Sequence, residues 1–200
     1  MSVRLFVALL NYSLIIFLFL RALMSPLDHL DFIYGFGIFV FVAEFLSIHS
    51  SGMLSSRQRL PATLFVISIY VILALAFSIG LGSFYPALIL ILSIVAKAVT
   101  APRPTQTETP SKKLLSNLLV VQVVLLVGTV LFVCMFGWLL TILLPFPEAV
   151  YAARPANTSG IFVEQPQTLL VWGILYYSLL AAWQIKSCQS VTSHKPIATP

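Results

Sequence analysis

The sequence has very few charged residues for its length. Only 11 basic and 6 acidic side chains occur among 200 residues. Soluble domains carry roughly 25% charged residues because their surfaces face water. The hydrophobic fraction of 60% and the mean hydropathy of +1.02 therefore exclude a water-soluble globular domain. We interpret the chain as an integral membrane protein whose surface faces lipid over most of its area.

Cysteine is scarce, and the common catalytic and cofactor motifs are missing. The two cysteines are Cys134, inside an apolar run, and Cys188, in the polar C-terminal segment. No Cys-x-x-Cys or Cys/His spacing indicates a zinc, iron-sulfur or haem site. No Gly-x-Ser-x-Gly, His-Glu-x-x-His, Walker or Rossmann pattern occurs either. The sequence therefore names no cofactor, and it favours a protein that is not an enzyme.

The formal charge of +5 could suggest a nucleic-acid partner. The basic residues, however, lie singly or in pairs at the ends of apolar segments and form no basic stripe among aromatic residues. We expect no nucleic-acid binding. The expected partners are membrane lipids and other membrane-protein subunits.

Long apolar runs predict an all-α fold, a polytopic transmembrane helix bundle with six spans. A span needs about 20 residues at 1.5 Å per residue. The 37 residues of Leu60–Ala96 carry no charge, which is enough for two short spans. A re-entrant hairpin over 61–99 is the alternative. The predicted spans are 5–24, 26–50, 61–79, 83–99, 114–144 and 168–185 in one bundle over 1–185, with a polar tail at 186–200.

Local signals add detail to this outline. Ser25 followed by Pro26 is a typical helix start, so Ser25 is predicted to cap the second segment. Residues 147–153 are predicted to form a short surface helix. Trp138 and Trp172 are expected to lie at the outer membrane interface, and Trp183 at the inner one, as aromatic belts require.

The basic residues predict the orientation of the bundle. With six spans, nine of the eleven fall on the side that carries both termini, and only Arg21 and Arg154 fall opposite. The positive-inside rule then predicts that both termini are cytoplasmic, and we expect a bacterial inner membrane. The nine residues are Arg4, Arg57, Arg59, Lys97, Arg103, Lys112, Lys113, Lys186 and Lys195.

Glu44 is the only acidic residue well inside an apolar segment. It lies about five residues to the cytoplasmic side of the middle of the second predicted span. A charge at membrane depth costs on the order of 3 kcal/mol, so such a residue usually faces the bundle interior and has a partner. It is predicted either to fix helix packing or to relay a proton or cation. The predicted intramembrane polar cluster comprises Glu44, Lys97, Asn11, Tyr12, Gln122 and Ser47.

Two other sets of residues are weaker candidates for a metal or ligand site. His49 lies about 140° around a helix from Glu44, so the two do not form a pair of ligands at i, i+4. Asp28, His29 and Asp31 fall within four residues on the outer side. Acids in the first turn of a helix are stabilised by its dipole, which is the favoured interpretation. We predict no metal site.

Three functions remain open at this stage. The favoured one is a non-catalytic subunit or assembly factor of a larger membrane complex, because the chain is small, has short loops and lacks catalytic motifs. A small proton- or cation-coupled carrier or channel that uses Glu44 is the alternative. A membrane enzyme acting on lipid or quinone is the third, and it would need a polar cluster that the sequence does not assemble.

Overall fold

The computed structural model describes residues 3–44, 48, 60–80, 87–88, 112–156 and 158–193. Every regular element in these ranges is helical, so the all-α prediction is confirmed for this part of the chain. The helices are α1 Val3–Met24, α2 Phe32–Glu44, α3 Leu60–Gly80, α4 Lys112–Leu143, α5 Glu148–Ala152, α6 Ile161–Glu164 and α7 Pro166–Ser193.

Three described helices are long and apolar enough to cross a membrane. These stretches are Leu5–Met24 of α1, Val120–Leu143 of α4 and Pro166–Ser187 of α7. Large apolar side chains such as Phe17 on α1 and Val124 on α4 are exposed, as expected for surfaces that face lipid. The predicted span 83–99 lies outside the described residues apart from 87–88, so the count of six spans stays a prediction.

Helix α7 is the centre of the described bundle. It packs along α1 on one side and along α4 on the other. Gly173 meets Phe19 near one end of α1, and Gln184 meets Tyr12 farther along, so α1 and α7 are antiparallel. The Thr141 hydroxyl accepts a hydrogen bond from the Gln167 amide, which joins the end of α4 to the start of α7. The starts of α1 and α4 therefore lie at the same end of the bundle as the end of α7.

The buried faces of α1 and α4 follow directly from the spacing of their residues. Positions three or four apart share one face of an α-helix, and the buried positions on both helices have this spacing. On α1 they are Ala8, Asn11, Ile15, Phe19 and Ala22; on α4 they are Gln122, Leu126, Thr129, Val133 and Gly137.

Glycines allow the helices to approach α7 closely. A Cβ on Gly173 would lie 2.5 Å from Cε1 of Phe19, and a Cβ on Gly37 would lie 2.9 Å from Cδ2 of Leu169. The first distance is far below van der Waals contact, so only glycine fits where the Phe19 ring crosses α7. Small residues at helix contacts are typical of membrane bundles, where close packing replaces the hydrophobic effect as the driving force.

The connection between α1 and α2 departs from the predicted helix start. Residues Pro26–His29 form a 3-10 turn, and the Ser25 side chain makes no capping hydrogen bond, so the predicted cap is wrong. The Ser25 carbonyl instead accepts hydrogen bonds from the backbone N–H of Asp28 at 3.3 Å and from Nδ1 of His29 at 2.9 Å. These bonds reverse the chain direction just beyond the end of α1.

The first turn of α2 is a π-helix. It spans Phe32–Phe36, and the Gly37 N–H donates to the Phe32 carbonyl, one residue farther along than in an α-helix. Such wide turns are rare and occur mostly as single insertions. Ile33, Gly35 and Phe36 are buried here. The widened turn therefore sits inside the packed core.

Two helices in the C-terminal part of the chain can be compared with the predicted segments. Helix α5 coincides with the predicted surface helix at 147–153, although its Val150 is fully buried. Helix α7 continues to Ser193, eight residues past the predicted end of the last span. Polar residues after Lys186 mark the end of the apolar stretch but do not end the helix, because they contain neither proline nor glycine before residue 194.

Tyr34 links the start of α2 to α5 by a hydrogen bond. Its hydroxyl donates to the Val150 carbonyl at 2.8 Å. Tyr34→Phe should lower the free energy of unfolding by about 0.5–1.5 kcal/mol, since it leaves a carbonyl of a buried residue without this donor. Thermal unfolding in detergent measures the change. Tyr151→Phe on α5 is the matched control, and an equal loss from that variant would contradict a specific role for the Tyr34 bond.

Candidate functional site

Glu44 is the last described residue of α2 before the gap at 45–47, and it is bonded to α7. The Tyr176 hydroxyl donates to Oε1 of Glu44 at 2.9 Å. Tyr176 and Tyr177 are the two central residues of the 22-residue stretch Pro166–Ser187. Glu44 therefore lies level with the middle of the α7 span, deeper than the sequence indicated. The difference arises because Pro26–His29 form a 3-10 turn at the end of the bundle, so these residues add little to the depth that the second segment reaches.

Three tyrosines interact with the carboxylate, and one of them, Tyr176, is hydrogen-bonded to it. Tyr12 of α1 and Tyr176 and Tyr177 of α7 all interact electrostatically with Glu44. The Tyr12 hydroxyl donates to Oε1 of Gln184 at 3.0 Å, and its ring lies 6.0 Å from the ring of Tyr177. We call Glu44, Tyr12, Tyr176, Tyr177 and Gln184 the tyrosine-glutamate cluster. It joins α1, α2 and α7, and it extends along α7 from Tyr176 to Gln184.

Aromatic rings cover the side of this cluster that faces the start of α7. Trp172 stacks on Tyr176 with ring centroids 5.5 Å apart, and Phe41 meets Trp172 edge to face at 4.9 Å. Phe162 of α6 contacts Phe41 at 5.1 Å. These rings place apolar surface next to the Glu44–Tyr176 bond. Electrostatic interactions are stronger in such surroundings than in water.

Trp172 does not serve as the predicted interfacial anchor. It is fully buried, because α6 and α2 pack over it, and its indole Nε1 has no hydrogen-bond partner among the described residues. Trp138 on α4, by contrast, is 62% exposed, which agrees with a side chain that faces lipid or the interface.

Two of the predicted partners of Glu44 are buried but make no hydrogen bond to it. Asn11 and Gln122 are buried on α1 and α4, and their side-chain oxygens, Oδ1 and Oε1, have no hydrogen-bond partner in the described ranges. The structure shows no bond from either to Glu44. Ser47 and Lys97 lie outside the described residues, and the fifth predicted partner, Tyr12, belongs to the tyrosine-glutamate cluster.

The group Asp28, His29 and Asp31 lies at the turn between α1 and α2. Asp28 and Asp31 are exposed, and the His29 ring is bonded to the Ser25 carbonyl. Within the described ranges, no three His, Cys, Asp or Glu side chains come together as a group that could hold a metal ion. His49, the remaining candidate ligand, lies outside them.

Sequence reasoning missed the partners that α7 supplies. Tyrosine in a membrane helix normally lies at the interface, where its hydroxyl reaches water. The pair Tyr176-Tyr177 instead stands in the middle of an apolar stretch, and Gln184 follows two turns later. Hydroxyl and amide groups within the membrane need hydrogen-bond partners inside the protein. That position was the available signal for a buried polar site on α7.

Comparison of the chain with known protein families, with curated proteins and with solved structures finds no match. The role of the tyrosine-glutamate cluster therefore has to be argued from its own geometry and chemistry.

Proposed function

We propose that the protein is a non-catalytic subunit or assembly factor of a larger membrane complex. The observation that carries this proposal is that polar side chains inside the bundle form hydrogen bonds between its helices. Four side-chain hydrogen bonds each join two different helices, so these groups are occupied in holding the bundle together. The bonded pairs are Tyr12 with Gln184, Tyr34 with the Val150 carbonyl, Gln167 with Thr141 and Tyr176 with Glu44.

The outer surface of α4 is consistent with this role. Over residues 120–143, where the side chains are described, the exposed ones are almost all large and apolar, and they include a tilted pair of rings, Phe132 and Phe136, with centroids 4.8 Å apart. A surface of this kind can face either lipid or another membrane helix. Helix association in membranes depends on close packing of such side chains.

Purification of the tagged full-length chain from native membranes in a mild detergent tests the proposal. Native mass spectrometry should give a mass that corresponds to this chain and a different chain in a fixed ratio. The same tag on an unrelated membrane protein is the control for adventitious binding. A monomer or homodimer with no second chain would contradict the proposal.

We further propose that both chain termini face the cytoplasm. The support is the charge of the described helix ends: the end of the bundle with the starts of α1 and α4 carries Arg4, Lys112 and Lys113, and Lys186 lies toward the same end on α7. Reporter domains fused after Lys113 and after Pro200 should be cytoplasmic, and a reporter inserted near Asn157 should be on the other side. Cytoplasmic accessibility of the reporter at Asn157 would overturn this orientation.

A second candidate function is the transport of a proton or another small cation through Glu44. The observation that favours it is the position of a carboxylate level with the middle of the α7 span. Ionisable residues at this depth are costly and are typically found on ion pathways. Ion flux into vesicles that contain the purified chain tests this function. Flux equal to that of vesicles without protein would exclude it.

A further inference from the structure

One face of α7 is exposed from the middle of its apolar stretch to a charged end. The exposed residues on this face are three or four positions apart, so they share one side of the helix. Leu179 and Ile185 supply apolar surface and are 40% and 39% exposed. Ser178 and Ala182, which lie between them on the helix surface, are small. We call Ser178, Leu179, Ala182, Ile185 and Lys186 the exposed α7 stripe.

Lys186 lies about one hydrocarbon thickness from the start of α7. Gln167, near that start, is bonded to Thr141 at the end of α4. Lys186 follows 19 residues later, which is about 29 Å at 1.5 Å per residue. The hydrocarbon layer of a bilayer is about 30 Å thick. One layer of lipid headgroups therefore lies near Gln167, and the other lies near Lys186.

The end of the bundle that carries Lys186 is positively charged in the described part of the chain. Helices α1 and α4 both begin at this end, with Arg4 as the second residue of α1 and with Lys112 and Lys113 as the first two of α4. The start of a helix also carries the positive end of its dipole. The described acidic residues lie elsewhere, in the middle of the bundle or at its other end: Asp28, Asp31, Glu44, Glu148 and Glu164.

We propose that the exposed α7 stripe binds an anionic phospholipid. The ammonium of Lys186 donates hydrogen bonds to the phosphate oxygens, and an acyl chain lies along the residues that precede it. The small side chains of Ser178 and Ala182 let the chain approach the helix closely. A free anion would use the lysine but not the apolar stripe beside it. A zwitterionic phospholipid would bring its own cation toward the positive end of the bundle, so an anionic headgroup is preferred.

Trp183 supplies a local probe for this lipid. It lies three residues before Lys186, and residues with this spacing are neighbours on a helix surface. The experiment places the full chain in phosphatidylcholine vesicles that contain brominated phosphatidylglycerol or brominated phosphatidylcholine at equal mole fraction. Bromine on an acyl chain quenches tryptophan fluorescence at short range. All chains carry Trp138→Phe, which removes the exposed tryptophan of α4, and Trp172 is fully buried. Both leaflets contain the probe, so the orientation of the chain does not affect the result.

Phosphatidylglycerol should quench Trp183 with an association constant at least about fivefold higher than phosphatidylcholine, the effect of one basic residue near an anionic headgroup. Lys186→Gln should lose most of this preference, and Lys186→Arg should keep it. Arg154→Gln is the matched control, because it removes one exposed positive charge at the other end of the bundle and should keep the preference. Added inorganic phosphate should leave the quenching unchanged.

Four results would overturn the proposal. Lys186→Gln could keep the full preference, or Arg154→Gln could lose as much of it, which would indicate a general effect of net charge. Displacement by inorganic phosphate would assign Lys186 to a free anion. Trp183 that neither lipid quenches would show that another helix covers the stripe. If Lys186→Gln does not fold, the chain with Lys186 decides: its preference must weaken between about 0.1 M and about 1 M sodium chloride, and an unchanged preference contradicts the site.

Discussion

Gly173→Ala is expected to disrupt the contact between α1 and α7. The added Cβ would lie 2.5, 2.6 and 2.7 Å from three carbon atoms of the Phe19 ring. Phe19 is fully buried, so its ring cannot move aside into open space. Overpacking of a core costs about 1–3 kcal/mol, and the higher helix propensity of alanine returns at most about 1 kcal/mol. We expect a lower midpoint of thermal unfolding in detergent and weaker association of α1 with α7.

Gly128→Ala is the matched control for this substitution. Gly128 lies on α4 with no atom within 4 Å of where its Cβ would be. The same chemical change should therefore leave stability unchanged or raise it slightly. A second check is Gly173→Ala combined with Phe19→Leu, which removes part of the ring that the methyl group meets. If Gly173→Ala is as stable as Gly128→Ala, the close approach of α1 and α7 is wrong.

Helix positions could be predicted from the sequence because apolar length is a strong signal. The first, fifth and sixth predicted segments agree with α1, α4 and α7 to within two residues at each start, since one charged or polar residue at the membrane boundary fixes where a span begins. The end of α7 could not be placed in the same way. The boundary of the membrane sets where apolar residues stop, but a helix can continue into water.

The sequence could not show which glycine lies at a close helix contact, nor which residue bonds to Glu44. Among the described glycines, the closest approach is at Gly173, where a Cβ would lie 2.5 Å from the Phe19 ring. The sequence around Gly173 does not show this need for space, because the ring that occupies the space belongs to another helix. The Tyr176 hydroxyl that bonds to Glu44 is 132 residues away in the sequence, so no local pattern indicates this pairing.

The second large effect is expected at Glu44. Glu44→Ala removes the acceptor of the Tyr176 hydroxyl and leaves a buried donor without a partner, at a cost of about 1–3 kcal/mol. Glu44→Gln keeps an oxygen acceptor at the same place, so most of the stability should remain. Thermal unfolding in detergent measures both variants. If Glu44→Ala and Glu44→Gln lose the same amount of stability, the negative charge, rather than the hydrogen bond, stabilises the bundle.

A double-mutant cycle measures the coupling between Glu44 and the Tyr176 hydroxyl, separately from the cost of changing either residue alone. Tyr176→Phe removes the donor and should destabilise the chain, while Tyr177→Phe, which changes the adjacent ring in the same way, should cost less. In the Tyr176→Phe variant, Glu44 no longer accepts a hydrogen bond from residue 176. Glu44→Ala should then cost clearly less than it does in the wild-type chain, because residues in direct contact are not additive. Additive costs would mean that the Tyr176 hydroxyl and Glu44 stabilise α2 and α7 independently, and that the bond of 2.9 Å contributes nothing of its own.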